Sequence, residues 1–380
     1  MKRERYSAEK IISMINVKTL LSNLLLIVIP FLLLELAFRA LPVSYPPYIL
    51  PVSKATPVAR FQPNQHYVWS KGWNFSIKAK SYSNNYGYTN ENDYDADASS
   101  PLLMVVGDSV VEAHQIDAGN SAAELLHSEV DSDGRAYSIG LSGAPLSQYL
   151  VFAEYSKITF HPQAMVFIIV GNDFDESLFK YNGARRFHLF RETGEDLILE
   201  RVDYSVSKAK ALLRKSALMR YVMLNLEVRA SLERFLYRAP AQPVEYIGNV
   251  PFTVDEERIN DSMRVVDEFF DQLPLRSGLD ATQILFVIDG MRPALYSEDE
   301  LERAEDSYFA QMRRYFEGQA LSLGYEVIDM QPIFIKRNKL DNSRFEFETD
   351  GHWNELGHSL AAKEIQNSAV FKSTFPRFAD

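Results

Sequence analysis

Four short stretches of this chain hold residue types that together could transfer an acyl group. Gly107-Asp108-Ser109 offers a hydroxyl, and Ile139-Gly140-Leu141-Ser142-Gly143 a glycine whose backbone N–H is accessible. Gly171-Asn172-Asp173 offers a side-chain amide, and Asp350-Gly351-His352-Trp353-Asn354 an acid and an imidazole. A Ser hydroxyl is a weak nucleophile until a base takes its proton, and His has the pKa for that task. The base in turn needs a carboxylate to fix its tautomer and stabilise the imidazolium. Asp350 meets this need for His352 if the segment is extended or turned so that both side chains face one crevice. A tetrahedral oxyanion needs two or three fixed donors. Ser109 N–H, Gly143 N–H and the Asn172 amide are the candidates, and Gly143, lacking a Cβ, lets its backbone come close.

Each stretch also has a plainer reading. Ser109 could be no more than a helix N-cap, with Asp108 adding negative charge ahead of the first turn. Asp173 could orient the base in place of Asp350, or cap the next helix. Among the other histidines, His114 and His161 read as structural, and His358, four positions past Asn354, as a packing or capping residue. Asp350, His352 and His358 could ligate a metal, but no second ligand cluster supports that. The chain has no cysteine, which excludes thiolate catalysis, disulfides and thiolate metal sites. No metal and no other cofactor is expected.

The elements that must position these groups follow from the apolar pattern. Residues 102–106 are five apolar residues in a row, as in a strand buried on both faces, and Gly107 ends the run. Apolar spacing from 110 to 126 is helical. Further strands are expected at 136–139, 164–170, 284–288 and 325–329. Helices are expected at 146–157, at about 299–323 with Gly324 as its C-cap, and at 355–371. Strands alternating with helices predict an α/β unit, a parallel sheet covered on both faces. The four chemical stretches then fall at the carboxyl ends of strands, on one crevice. The interval 174–274 reads as a helical insertion. Its middle, 208–238, carries eight basic and two acidic residues, a pattern that fits a helix lying on an anionic lipid surface, a solvated lid or a dimer contact.

Of the 380 residues, 46% are hydrophobic and 24% charged, the balance of a globular chain, and the net charge of −11 argues against nucleic acid as a partner. Residues 19–40 are an exception. They are long and apolar enough to span a bilayer, with Glu35 the one acid within them, and residues 1–18 carry five basic against two acidic side chains. The positive-inside tendency makes 1–18 a cytoplasmic N-terminus, 19–40 a transmembrane signal anchor, and the remainder exported. A cleaved signal peptide is the rival, but Phe38 and Arg39 make a poor cleavage site before Leu41. Residues 41–63 are rich in proline and read as an extended stalk. Residues 67–94 are aromatic and turn-rich, so 41–100 is a stalk and aromatic pre-domain, followed by the catalytic unit at 101–375.

Gly107-Asp108-Ser109, Gly143 in Leu-Ser-Gly, Gly171-Asn172-Asp173 and Asp350-Gly351-His352 resemble, in order, the four sequence blocks of the SGNH (GDSL-like) hydrolases. The resemblance covers about residues 100–370. It implies a flavodoxin-like three-layer α/β/α sandwich with a parallel sheet, here preceded by one transmembrane helix. It also implies Ser109 as nucleophile, Gly143 and Asn172 as oxyanion donors with the Ser109 N–H, and His352 with Asp350 as base and orienter. The commonest pattern of the family has two residues between the Asp and the His, whereas this chain has only Gly351. Asp-Gly-His-Trp-Asn is similar to membrane-anchored members that handle acylated polysaccharides. The expected function is thus an exported serine esterase or acyltransferase acting on O-acyl groups, O-acetyl foremost, with envelope carbohydrate as the candidate carrier. The alternatives are a lipase or lysophospholipase, and a non-catalytic polysaccharide-binding or scaffolding member of the fold.

Overall fold

The structure is a computed structural model, and it describes residues 17–130, 133–183, 185–226, 228 and 245–379. In chain order the strands are β1 (Gln65–Lys71), β2 (Ile77–Ser83), β3 (Leu102–Gly107), β4 (Arg135–Gly140), β5 (Ala164–Ile169), β6 (His188–Thr193) and β7 (Asp196–Arg201). After these come β8 (Tyr246–Ile247), β9 (Val250–Pro251), β10 (Ile284–Ile288), β11 (Glu326–Asp329), β12 (Glu346–Phe347) and β13 (Asp350–Trp353). Five of them form the central sheet in the order β4-β3-β5-β10-β11, and every pairing is parallel. Counted along the chain this is the 2-1-3-4-5 order of flavodoxin-like folds. Their topological switch point lies beside the first strand, at the carboxyl edge where ligands bind.

Strand alternation divides the core into two layers. Leu102, Met104 and Val106 of β3 face one side, where Met165, Phe167 and Phe286 join them against the helices Leu146–Phe160, Glu256–Ser277 and Tyr308–Ser322. Leu103 and Val105 face the other side, with Val166, Leu285 and Val287, against Ala122–Val130, Met330–Asp341 and Glu355–Asn367. The result is the predicted α/β/α sandwich. Phe167 stacks on Phe286 with ring centroids 5.5 Å apart, and truncating such a buried ring to Ala costs on the order of 3–5 kcal/mol.

Three helices expected as continuous are interrupted, each at a capping residue. The helix after β3 is a single turn, Ser109–Glu112, ended by Ala113 in the left-handed region (φ 53°). The chain becomes helical again at Ala122–Val130, with Ser121 Oγ accepting from Glu124 N–H (3.3 Å). The 299–323 helix divides into Glu298–Ala304 and Tyr308–Ser322, with Ser307 as N-cap of the second. Residues 355–371 divide into Glu355–Asn367 and Ala369–Thr374 around Ser368, which caps the latter. Local Ser–backbone bonding outcompetes helix continuation at these points.

The helix Glu256–Ser277 lies within the 174–274 span read as an insertion, yet Val265, Val266, Phe269, Phe270 and Leu273 are core residues, and it is the crossover from β5 to β10. Among the described residues, the added material before it includes the β6/β7 and β8/β9 hairpins and two short helices, Lys208–Leu213 and Ala217–Arg220. Of the basic stretch 208–238, positions 227 and 229–238 lie outside the described residues. The part described is not one helix, because Ser216 caps a second one. The proline-rich stretch is not a free spacer either. Val43, Val52, Ala59 and Phe61 are buried, and the antiparallel β1/β2 hairpin that follows packs on the domain.

Val17–Arg39 is one helix, and its Leu21–Arg39 part is long and apolar enough to cross a membrane, with none of that window buried. Glu35 accepts from Ser216 Oγ (2.7 Å) and from Ala217 and Leu218 N–H (both 3.0 Å), so the helix's acid caps the Ala217–Arg220 helix. Phe38 stacks on Tyr221 at 4.2 Å.

Candidate active site

Asp108 and Ser109 lie where β3 ends. The N-cap of the following turn is Asp108, whose Oδ1 accepts from Val110 N–H (2.9 Å). The capping role therefore falls to the acid, and the Ser109 hydroxyl is left for other partners. As the first residue of a helix, Ser109 has a backbone N–H with no intrahelical acceptor. Ser109 Oγ lies 2.8 Å from His352 Nε2 and 3.0 Å from Asp108 Oδ2, two acceptors for one hydroxyl proton. Burial pushes the Asp108 carboxyl above its usual value, opposed by Val110 N–H and by His352.

His352 reaches Ser109 from the other end of the chain. Its Nδ1 is hydrogen-bonded to Asp350 Oδ1, which also accepts from the His352 backbone N–H (3.0 Å). The single-residue spacing is resolved by β13. In an extended strand residues i and i+2 share a face, so Asp350 and His352 point the same way while Trp353 turns into the core, fully buried. A two-residue spacing would serve a helical turn; a one-residue spacing serves a strand. Burial would raise the Asp350 carboxyl, but the His352 hydrogen bond and charge, and then Lys71, hold it well below the usual carboxylate range. With the Nδ1 proton committed to Asp350, the neutral ring offers Nε2 as acceptor to Ser109.

Two groups that the sequence reading did not single out fix this strand. Lys71, the last residue of β1, places Nζ 3.0 Å from Asp350 Oδ2. Arg292 donates to the Gly351 carbonyl (2.8 Å) and pairs with buried Asp289 (2.5 Å), which also accepts from Trp353 Nε1 (2.8 Å). The Asp289–Arg292 pair thus holds the residues on both sides of His352, Gly351 by its carbonyl and Trp353 by its indole N–H. Lys71 gave no sequence signal, being one lysine in a hairpin 279 residues away. Asp289 was foreshadowed only by its position directly after β10, the strand edge where the other site residues sit.

Register places the remaining candidates at the same edge. Gly107 pairs with Gly140, and Gly143 follows three residues on, at φ 76°. A Cβ on Gly140 would meet Asp108 O at 2.9 Å, so β4 abuts the turn bearing Ser109. Among the described residues Gly143 N–H has no hydrogen-bond partner. Asn172, three residues past the end of β5, donates weakly to Glu176 Oε2 (3.4 Å). Asp173 is not the orienting acid: its carboxylate accepts from Val170 N–H (2.8 Å) and Tyr149 OH (2.9 Å). His358 accepts from Ala122 N–H (3.3 Å) beneath Trp353, and burial pushes it down to about 3. His161 ends the Leu146–Phe160 helix in the left-handed region (φ 51°), and His114 Nδ1 meets Tyr67 OH (2.8 Å) while Nε2 contacts Glu112.

No family model matches this chain, and no curated protein does. Solved structures with a similar course of chain include an acetyl xylan esterase, with 11% identity over 70% of this chain and 98% of that one, at a TM-score of 0.38. A lipase/acylhydrolase from Enterococcus faecalis has 8% identity over 70% and 95%, at 0.37. A GDSL-like lipase from Bacteroides thetaiotaomicron has 12% over 73% and 91%, at 0.36.

Proposed function

We propose that the chain is a membrane-anchored serine esterase of the SGNH type, acting on O-acyl groups through an acyl-Ser109 intermediate. One observation carries the reading: Ser109 Oγ, His352 and Asp350 form an unbroken hydrogen-bonded line at the carboxyl edge of the sheet. Ser109 Oγ attacks the ester carbonyl carbon as His352 Nε2 takes its proton. The oxyanion is met by the N–H groups of Ser109 and Gly143 and by the Asn172 amide. The tetrahedral species collapses, and the departing alcohol takes the proton from His352. Water, or a sugar hydroxyl, then gives its proton to His352 and attacks the acyl carbon; as this second tetrahedral species collapses, Ser109 Oγ leaves and takes the proton back from His352. Asp350 orients the ring and stabilises its cation throughout.

The Val17–Arg39 helix supports a membrane anchor, and the basic residues before it support a catalytic domain on the extracytoplasmic side. O-acetylated envelope carbohydrate is the proposed substrate class. The test is acetate release from O-acetylated polysaccharide and from p-nitrophenyl acetate by the detergent-solubilised chain. Release into water supports an esterase, and release that requires an added sugar acceptor supports a transferase. No release from any acyl ester would favour a non-catalytic binding protein.

A further inference from the structure

Beside the catalytic edge lies a cavity of about 390 Å³, bounded by the proline-rich stretch, the β1 strand and the short helices Lys208–Leu213 and Ala217–Arg220. Its apolar wall includes Ile49, Phe61, Trp69, Leu213, Met219 and Leu224. Four basic side chains also line it: Arg186, Lys210, Arg214 and Arg220. Glu112 is the one acid among the lining residues, and it is already engaged by His114 and by Ser142 N–H and Oγ. Among the described residues none of the four cations pairs with a carboxylate. Arg214 instead donates to the Pro46 carbonyl (2.9 Å) and lies over the Tyr48 ring (4.4 Å). Arg220 donates to the carbonyls of Ser44 (3.1 Å) and Arg214 (2.9 Å), and Arg186 to that of Ser142 (2.7 Å). Arg186 Nε is buried and has no partner. Burial pushes both Arg186 and Arg220 down, and the charges of Glu112 on Arg186 and of Glu35 on Arg220 offset it only in part.

The cavity's position matters as much as its charge. The helix that carries Arg220 is fastened to the end of the apolar helix through Glu35 and the Phe38–Tyr221 stack, and the short helix with Lys210, capped by Arg214, directly precedes it. Around the mouth Leu212, Leu213 and Met223 are exposed by 68%, 53% and 47%. An apolar rim at the point where an anchor would leave a bilayer, leading to an apolar chamber with four cations, matches an amphiphile with an anionic head.

We infer that this cavity binds an anionic phospholipid from the membrane, the phosphate among Lys210, Arg186, Arg214 and Arg220 and an acyl chain against Trp69, Met219 and Leu224. The inference rests on the anchored reading of the Val17–Arg39 helix and is independent of the ester chemistry. Guanidinium groups pair phosphate oxygens in a bidentate way, and a lone lysine adds a point charge. A zwitterionic lipid has the same phosphate but carries a cation that would enter this basic field at a cost.

The test uses the full chain in a neutral detergent, titrated with phosphatidylglycerol and with phosphatidylcholine while bound lipid is counted by native mass spectrometry. Phosphatidylglycerol is expected to bind about tenfold or more tightly. Lys210→Glu, whose side chain is exposed, should weaken it about fivefold or more, on the scale of one basic group at an anionic surface. Arg214→Gln with Arg220→Gln should remove the preference for phosphatidylglycerol. Equal binding of the two lipids, or a Lys210→Glu chain that binds as the unmutated one does, would overturn the inference. Glycerol phosphate is the third arm. If it displaces the lipid at equal concentration, a free phosphate compound is the occupant and the lipid assignment fails. Hydrolysis of p-nitrophenyl acetate by the same unmutated preparation is read alongside, so loss of lipid binding and loss of esterase activity are separately visible.

Discussion

Replacing Lys71 with Met tests whether the hairpin ahead of the sandwich belongs to the proposed catalytic apparatus. Lys71 Nζ stands 3.0 Å from Asp350 Oδ2, with 25% of the lysine side chain exposed but only 5% of the aspartate's. A hydrogen bond to a charged group contributes about 1.5–3 kcal/mol, and the lysine's partial exposure argues for the lower end. Two contacts from His352, its N–H and its Nδ1, remain to hold Asp350, so the dyad should persist with a looser carboxylate. A loss of about 1.5 kcal/mol in the transition state is roughly a tenfold fall in kcat, with KM nearly unchanged. Lys71→Arg should restore most of the rate. The assay is hydrolysis of p-nitrophenyl acetate across pH, with thermal unfolding as the control for folding. If Lys71→Met folds normally and keeps kcat within twofold, the contact is structural and this reasoning is wrong.

Other expectations concern separate parts of the fold. Asn172→Ala should lower kcat about 10²- to 10³-fold, as for loss of one oxyanion donor, while still accepting a fluorophosphonate on Ser109; steady-state rates and labelling separate the two. Asp289→Ala should cut activity and lower the unfolding temperature together, because Arg292 and Trp353 Nε1 both lose a buried partner; calorimetry and turnover check this on one preparation. His188 and His358 are pushed down to about 4 and about 3, by burial first in each case. Their folded values lie below the unfolded one, so they cost nothing above pH 6.5 and destabilise the fold progressively as pH falls towards those values. At pH 5 each should cost on the order of 2 kcal/mol. Glu124, raised to about 6 by burial, works in the opposite sense, so the comparison must be with His358→Asn, whose urea-measured stability should fall less between pH 7 and pH 5.

The strands β3, β5 and β10 were legible because each is a short apolar run, as Ile284–Ile288 is, and burial on both faces leaves no alternation to misread. The candidates Ser109, His352 and Asp350 were legible because their chemistry is narrow; Ser109 follows β3, whereas Asp350 and His352 lie within β13, with the helix Met330–Asp341 between them and β11. The mutual reach of Asp350 and His352 depended on whether residues 350–353 were extended, and that is set by pairing with β12, which a two-residue strand hardly announces. The core role of Glu256–Ser277 was readable in principle, since Val265, Val266, Phe269, Phe270 and Leu273 recur at helical spacing. The basic stretch before it drew the boundary too late. Lys71, Arg292 and the clamp on Gly351 are contacts across long chain separations between charged residues of ordinary local context. No periodicity marks them. The helix breaks at Ala113, Ser307 and Ser368 depend on a competition between capping and propagation that differs by a fraction of the energy of either.

The most direct test of the account is the site of covalent labelling. Incubating the chain with a fluorophosphonate and mapping the adduct by mass spectrometry should place it on Ser109 alone. His352→Ala should slow the reaction at least 10²-fold, because the hydroxyl then has no base. An adduct on another serine, or Ser109 labelling at an unchanged rate in His352→Ala, would contradict the claim that Ser109, His352 and Asp350 act as one unit.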